Sequence, residues 1–482
     1  MNGPANSAQR GGCRVQGSRL IAALALLSFA VTAGCTGGGG NFSGGGGGGA
    51  TAPISLTITD TPPANVSVQW FQADVVGVVM NPGNVSLVSS PVTVELRRLE
   101  EETAFLTNTN VPVGTYTSLT VTFTNPSLTF HNGTAQTIAG CAPGAVCNIL
   151  PTTTTLTATA NFSSPGLTLS SNSPVGLLVD VNLDSVLTGS MGVDFNSGVS
   201  VSQLASGQPA GALVPVEDVV GRVTSTDSVN NRFNLQTPAG TLAIQANTQS
   251  NSNTSFLNFP GSVCSSPGFA CVKAGQIVAV DMSLQAGGTL LAQNVFFEDS
   301  DTSKAEVEGV IVSVNKVTQQ FNMVALQETP SVAALPVGAV VTVNVSFSTI
   351  LDVDNRGPDT SAFTFQSVND LLVGQEVQVR RLSTSSGMTI NADRVRLESS
   401  RFTGNIVSVN APSFNVSGLP SLFASASPTI TQIQAQTSAF TEFAGNASNF
   451  SQLAVTNTVS LRGQLFGSAG SPVLVTTKVI KR

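Results

Sequence analysis

Apolar and polar positions alternate with a period of two along most of this chain. Leu119, Val121 and Phe123 alternate with Thr120, Thr122 and Thr124, and Val341, Val343, Val345 and Phe347 alternate with Thr342, Asn344, Ser346 and Ser348. Successive side chains of a strand point to opposite faces, so this pattern predicts half-buried β-strands. Turn-forming clusters such as Asn81-Pro82-Gly83-Asn84 and Ala286-Gly287-Gly288-Thr289 separate the runs. The best helical segment is short, Ser367 to Leu372, and the chain therefore reads as all-β.

The pattern also repeats on a longer scale. One copy opens Val220-Gly221-Arg222-Val223-Thr224-Ser225 and reaches Phe233-Asn234-Leu235. A second opens Glu308-Gly309-Val310-Ile311-Val312-Ser313 and reaches Phe321-Asn322-Met323; a third opens Thr403-Gly404-Asn405-Ile406-Val407-Ser408 and reaches Phe414-Asn415-Val416. Val272-Lys273-Ala274-Gly275-Gln276-Ile277 of the first matches Leu372-Val373-Gly374-Gln375-Glu376-Val377 of the second, whereas the third shows no clear Val-Gly-Gln element. Each copy is a hairpin, a middle strand, a variable loop and a closing hairpin. Five or six strands of that length close into a small barrel. The expected units are barrels over 218–300, 304–399 and 400–482, preceded by a separate β domain over 54–215.

The N-terminus has a different composition. Arg10, Arg14 and Arg19 precede an apolar run from Leu20 to Thr32, and small Ala33 and Gly34 stand before Cys35. The run is shorter than the ~20 residues of a membrane-spanning helix and fits a cleaved signal. The segment resembles the lipobox of bacterial lipoprotein precursors, with Thr32 where leucine is usual. The resemblance implies that 1–35 is a signal peptide and that Cys35 is acylated. The protein would then be lipid-anchored to a bacterial membrane, the outer membrane facing periplasm or cell surface being preferred. Plain secretion, with Cys35 a spare thiol, is the alternative. Residues 36–53, rich in glycine, form a flexible linker with a mean span of roughly 20–25 Å.

Composition agrees with an exported β protein. Charged residues make up 10% of the chain, against about 25% in ordinary domains. Removing a leader with three arginines and no acid takes the formal charge from −7 to about −10. That excludes the basic footprint of a nucleic-acid binder. Cys141 and Cys147, and Cys264 and Cys271, bracket short Gly/Pro/Ser loops. A metal site would need further Cys or His, and His131 is the one histidine. Two disulfides are therefore expected, each contributing about 2 kcal/mol.

The barrel repeat resembles the bacterial domain of unknown function 5666, on its Gly-x-Val/Ile-x-Ser/Thr opening, Phe-x-Val/Leu strand and Val-Gly-Gln element. The preceding region resembles the domain of unknown function 4382, on Ile54-Ser55-Leu56-Thr57-Ile58-Thr59-Asp60-Thr61-Pro62, the strand at Val75 to Met80, and Val111-Pro112-Val113-Gly114-Thr115-Tyr116. These resemblances imply a prealbumin-like β-sandwich followed by three small barrels like those of the oligonucleotide-binding (OB) fold. They bring no activity, cofactor or catalytic residue.

The remaining candidates for chemistry are sparse. Trp70 and Tyr116 could serve as binding platforms, although each also reads as core. Asp352-Val353-Asp354-Asn355-Arg356-Gly357 starts like a calcium loop but carries Arg356 where an oxygen ligand belongs and Phe363 where the closing Glu should be. Glu100-Glu101-Glu102 reads as a solvated turn, and His131 as a strand end. No catalytic residue, cofactor or metal is expected. Three function classes remain: a non-enzymatic binding or spacer module for a protein or glycan, a component of an envelope assembly, and a hydrolase with an unrecognised site. Tandem repeats favour the first two. Because the region 54–215 holds the only Trp and Tyr, it is expected to recognise the partner, with the barrels as spacers.

Overall fold

The alternating runs become strands, and their inward positions make the cores. The computed structural model describes residues 49–482 except 63–66, 101, 205–211, 238–239, 249–252, 286–287, 300–304, 331–334, 355–356 and 468–471. The leader, Cys35 and the linker up to Gly48 lie outside the described residues.

Two sheets form the N-terminal sandwich. One has the order Val199–Leu204, Val175–Asn182, Thr51–Thr61, Ala104–Pro112. Thr51–Thr61 runs parallel to Val175–Asn182 and antiparallel to Ala104–Pro112. The other is built on the long pair Ser67–Asn81 and Ser118–His131, extended by Thr157–Asn161 and shorter strands. Ile54, Leu56 and Ile58 of the first sheet meet Phe71, Val75, Phe123 and Phe130 of the second in one buried cluster. Phe195 stacks on Phe123 with ring centroids 3.9 Å apart. Each such aromatic contributes about 1.5–3 kcal/mol by leaving water.

Three six-stranded sheets follow, each closed into a barrel. The strands are Ala212–Asp227, Arg232–Thr237, Gly240–Ala246, Ser255–Leu257, Ile277–Gln285 and Leu290–Asp299 in the first. In the second they are Glu306–Asn315, Gln320–Thr329, Val340–Asn344, Ile350–Val353, Glu376–Arg381 and Thr389–Leu397. In the third they are Ser400–Asn410, Ser413–Ser417, Ile433–Gln436, Glu442–Gly445, Thr458–Phe466 and Val473–Lys481. The order is the same in all three. Strands one to three form a meander, strand five pairs antiparallel with strands one and six, and strand three pairs parallel with strand six to close the ring. That is the strand order of an OB-type barrel. The opening strand of the first barrel reaches back to Ala212, into the stretch the sequence assigns to the sandwich.

The motif residues hold this skeleton. Strand one bulges at the same place in each copy, with a register shift at Val223/Ser225, Ile311/Ser313 and Ile406/Ser408. Across the bulge, the Asn of the Phe-Asn motif donates to a serine hydroxyl: Asn234 to Ser225 at 2.9 Å, Asn322 to Ser313 at 3.0 Å, Asn415 to Ser408 at 2.9 Å. The preceding Phe233, Phe321 and Phe414 fill the barrel interiors. The repeat glycine is a close-approach position. A Cβ on Gly221 or Gly309 would lie 2.5 or 2.6 Å from a strand-two carbonyl oxygen.

The Val-Gly-Gln element is a clasp. In the first barrel the N–H of Gly275 donates to the Val223 carbonyl, the N–H of Val223 donates to the Gln276 carbonyl, and the Gln276 side chain accepts from the Lys273 N–H at 2.7 Å. Gly374 and Gln375 make the same set with Ile311 and Leu372. The third barrel does carry the element, as Val455-Thr456-Asn457. Thr456 bonds Ile406, and Asn457 accepts from the Ala454 N–H at 2.8 Å. It escapes sequence matching because Asn replaces Gln and Thr456, at φ 76°, takes the left-handed position that glycine fills at Gly275 and Gly374.

Ser367 to Leu372 is a single 3-10 turn, Val368–Asp370, held by reciprocal bonds between Ser367 and Asp370. Short 3-10 turns stand before strand five in the other barrels also, at Phe269–Cys271 and Phe450–Gln452.

Gly49 to Arg482 form one compact unit. Phe105 of the sandwich packs on the core of barrel one. Phe466 and Val475 of barrel three join the core of barrel two, where Phe363 stacks on Phe466 at 4.8 Å.

Candidate functional site

Trp70 and Tyr116, the two binding candidates, are both spent inside the fold. Trp70 is 2% exposed and packs against Val310, Val324 and Val373 of barrel two and Leu422 of barrel three. Beside it the Gly338 carbonyl accepts from the Thr129 hydroxyl at 2.5 Å, tying barrel two to the sandwich. Tyr116 is 5% exposed and donates its hydroxyl to the Pro112 carbonyl at 2.9 Å. Neither ring can stack on a ligand without opening an interface. As folded, neither Trp70 nor Tyr116 offers an accessible ring to a partner.

The four remaining cysteines pair as Cys141–Cys147 and Cys264–Cys271. Asp352 sits 3.7 Å from Arg396, and the Asp354 carbonyl accepts from Gln464 of barrel three at 2.5 Å. Among the described residues no group of three or more His, Cys, Asp or Glu could hold a metal ion.

Glu102, expected in a solvated turn, lies in an ionic seam, and Glu100 beside it is buried and accepts from the Thr403 hydroxyl; Glu101 is outside the described residues. The 3-10 turn Arg97–Glu100 carries this seam into barrels two and three. Arg97 pairs with Glu376 at 3.0 Å, Glu376 with Arg401 at 2.6 Å, and Arg401 with Glu102 at 2.7 Å. Arg98 pairs with Glu308 at 2.9 Å. Burial alone would raise the Glu376 acid, but Arg401 and Arg97 hold it below its ordinary value, so it is ionised. Sequence inspection missed this seam because its members are hundreds of residues apart. A second cluster joins barrels one and two through Arg380 to Asp299 at 3.0 Å and Arg396 to Glu298, with Arg394 to Glu306 at 2.6 Å beside them inside barrel two.

His131 meets a partner the sequence did not reveal. Its Nδ1 lies 2.9 Å from the Ser421 hydroxyl of barrel three, while its buried Nε2 has no hydrogen-bond partner. Burial lowers its pKa, which favours the neutral ring. Among the described residues no carboxylate orients the imidazole, as a serine nucleophile's base requires. The contact is an interface hydrogen bond.

Two clefts are notable. One, of about 500 Å³, opens between the sandwich and barrel three, with Asp60, Gln69, Glu100, Phe402, Thr403 and Leu419 in its lining. Asp60 ends the strand whose inward positions are Ile54, Leu56 and Ile58, so the alternation places a carboxylate where a core residue belongs. It is 2% exposed, and neither oxygen has a hydrogen-bond partner. Burial, then the charges of Glu100 and Asp180, push its acid well above the usual range. The break in the Ile-x-Leu-x-Ile-x-Asp alternation is the signal that sequence reading could have used.

The other cleft, of about 390 Å³, lies where the three barrels meet, with Asp281, Asp354, Glu442 and Arg462 in its lining. Phe440 stands at its rim, 79% exposed. The same turn of barrel two exposes a phenylalanine one position earlier relative to its closing threonine, Phe347, which is fully exposed. Both lie in the turn after strand three, whose closing threonine, Thr349 or Thr441, donates to a strand-six carbonyl, that of Ala392 or Thr476.

With this geometry in place, the family comparison can be read. Residues 220–295 match the model of a domain of unknown function, DUF5666. They correspond to most of barrel one, and the strand order extends the same architecture to barrels two and three. No curated protein matches the chain.

Proposed function

We propose that this protein is a lipid-anchored envelope protein that acts by contact with a protein or glycan partner and not by catalysis. Cys35 is the anchor, residues 36–53 are the leash, and the sandwich is of the 4382 type. The observation that carries the contact reading is the pair Phe347 and Phe440. Two phenylalanines exposed in the same turn of barrels two and three, one residue apart in register, cost solubility and add nothing to either core. Aromatic side chains of this kind anchor interfaces. Phe440 also rims a polar cleft, which suits a glycan or a polar protein segment. The recognition surface is thus assigned to the barrels, with the sandwich as the support they are locked to. The alternative, a part of a larger envelope assembly, uses the same surface.

Affinity capture from membranes with mature protein tagged after Arg482 tests this reading. Wild type should retain a partner that a Phe347→Ser/Phe440→Ser double variant loses. A partner retained equally by both proteins, or turnover of a substrate by purified protein, overturns it. Cys35→Ala should abolish membrane fractionation; if it does not, the anchor is wrong.

A further inference from the structure

We infer that the cleft between the sandwich and barrel three is a binding site for an organic ammonium group, with Asp60 as its counter-charge and Glu100 as its second acceptor. Asp60 carries two buried acceptor oxygens that have no hydrogen-bond partner among the described residues, at the wall of a cleft of about 500 Å³. A buried carboxylate without partners is costly, and a donor entering the cleft removes that cost.

The local charge selects the donor. Glu100, Asp180 and, more weakly, Glu95 act on Asp60, against Arg482 as a cation. Arg482 is itself engaged, donating to the Ser460 hydroxyl and the Glu100 carbonyl, each at 2.9 Å. Arg97 and Arg401, which also line the cleft, are neutralised by Glu376 and Glu102. The Glu100 carboxylate accepts from the Thr403 hydroxyl at 2.6 Å and pairs with no cation among the described residues. An excess of carboxylate over cation at the buried end favours a positive occupant over a neutral one.

The size and lining select its class. The absence of three clustered ligating side chains among the described residues disfavours a caged metal ion. A cleft of this volume accommodates a small organic molecule. Its wall combines acceptors at Asp60 and Glu100 with the apolar surfaces of Phe402 and Leu419, which suit an ammonium on an alkyl chain.

The inference does not rest on the partner reading. Isothermal titration of the mature protein with 1,5-diaminopentane, and separately with calcium chloride, tests it. The diamine should bind saturably, one per chain. Asp60→Asn should weaken it at least tenfold and Glu100→Gln severalfold, while Glu442→Gln leaves it unchanged. Thermal melting reports whether each variant folds; if Asp60→Asn does not, Glu100→Gln decides. Absence of saturable diamine binding, or binding unaffected by both substitutions, overturns the inference. Asp60-dependent binding of calcium without binding of the diamine overturns it as well.

Discussion

Barrels one and three have the same skeleton and different exteriors. Both carry the bulge, the Asn–Ser bond across it, the buried phenylalanine and the clasp before strand five. Yet the clasp of one is Gly275-Gln276 and that of the other Thr456-Asn457. Outside, the copies diverge at matching positions. The residue after the clasp is Ile277 in barrel one, packed with Val220, Ala279 and Phe296, and Glu376 in barrel two, held by two arginines. The residue three before the repeat glycine is Glu306 in barrel two and Arg401 in barrel three. The interior constrains shape and backbone bonding, which several side chains can satisfy. The exterior constrains which neighbour each copy meets.

The sharpest way to break this contrast is at the seam. Glu376→Ala leaves Arg97 and Arg401 buried without their shared acceptor, and should cost about 3–5 kcal/mol in denaturant unfolding. Hydrogen exchange should rise in barrels two and three while barrel one stays protected; uniform protection would mean that the seam does not hold the units together.

A pH titration separates Glu306 from its counterpart Arg401. Burial, opposed by Arg394, pushes the Glu306 acid up to about 7 from 4.5. The folded chain therefore binds more protons than the unfolded chain between those values. This contribution is fully present below 4.5 and is lost as pH rises through 7. Wild type should lose on the order of 3 kcal/mol across that window, and Glu306→Gln should flatten the loss; an unchanged slope refutes the assignment.

The repeat glycines rank the copies. A Cβ at Gly309 meets the Val324 carbonyl oxygen at 2.6 Å, whereas at Gly404 the nearest atom, the Ser417 carbonyl oxygen, is 3.0 Å away. Gly309→Ala should cost about 1–3 kcal/mol, and Gly404→Ala measurably less in the same urea titration.

The smallest effect is at the clasp. Thr456→Gly relieves a β-branched residue at φ 76° and should raise stability by about 1 kcal/mol. The reverse change, Gly374→Thr, strains the backbone and drives a Cβ into Phe423, so it should lower the melting temperature.

Strand positions, the all-β class, the three barrels and the two disulfides were legible from local pattern, because a period of two and a turn signal are properties of neighbouring residues. Thr456-Asn457 was not, since a clasp is defined by φ and hydrogen bonds that more than one residue pair can supply. The same limit applies to the candidate sites. Trp70 and Tyr116 are conspicuous by type, and only packing shows that they are interior. Asp60 left a local trace, a polar residue closing an apolar alternation. Its lack of a partner became visible only when Glu100, 40 residues on, and barrel three, more than 300 residues on, enclosed it. The sequence by itself determined which residues could turn inward within each strand. The tertiary structure decided which inward and outward faces became neighbours, because burial and charge pairing depend on distances in space that separation along the chain does not encode.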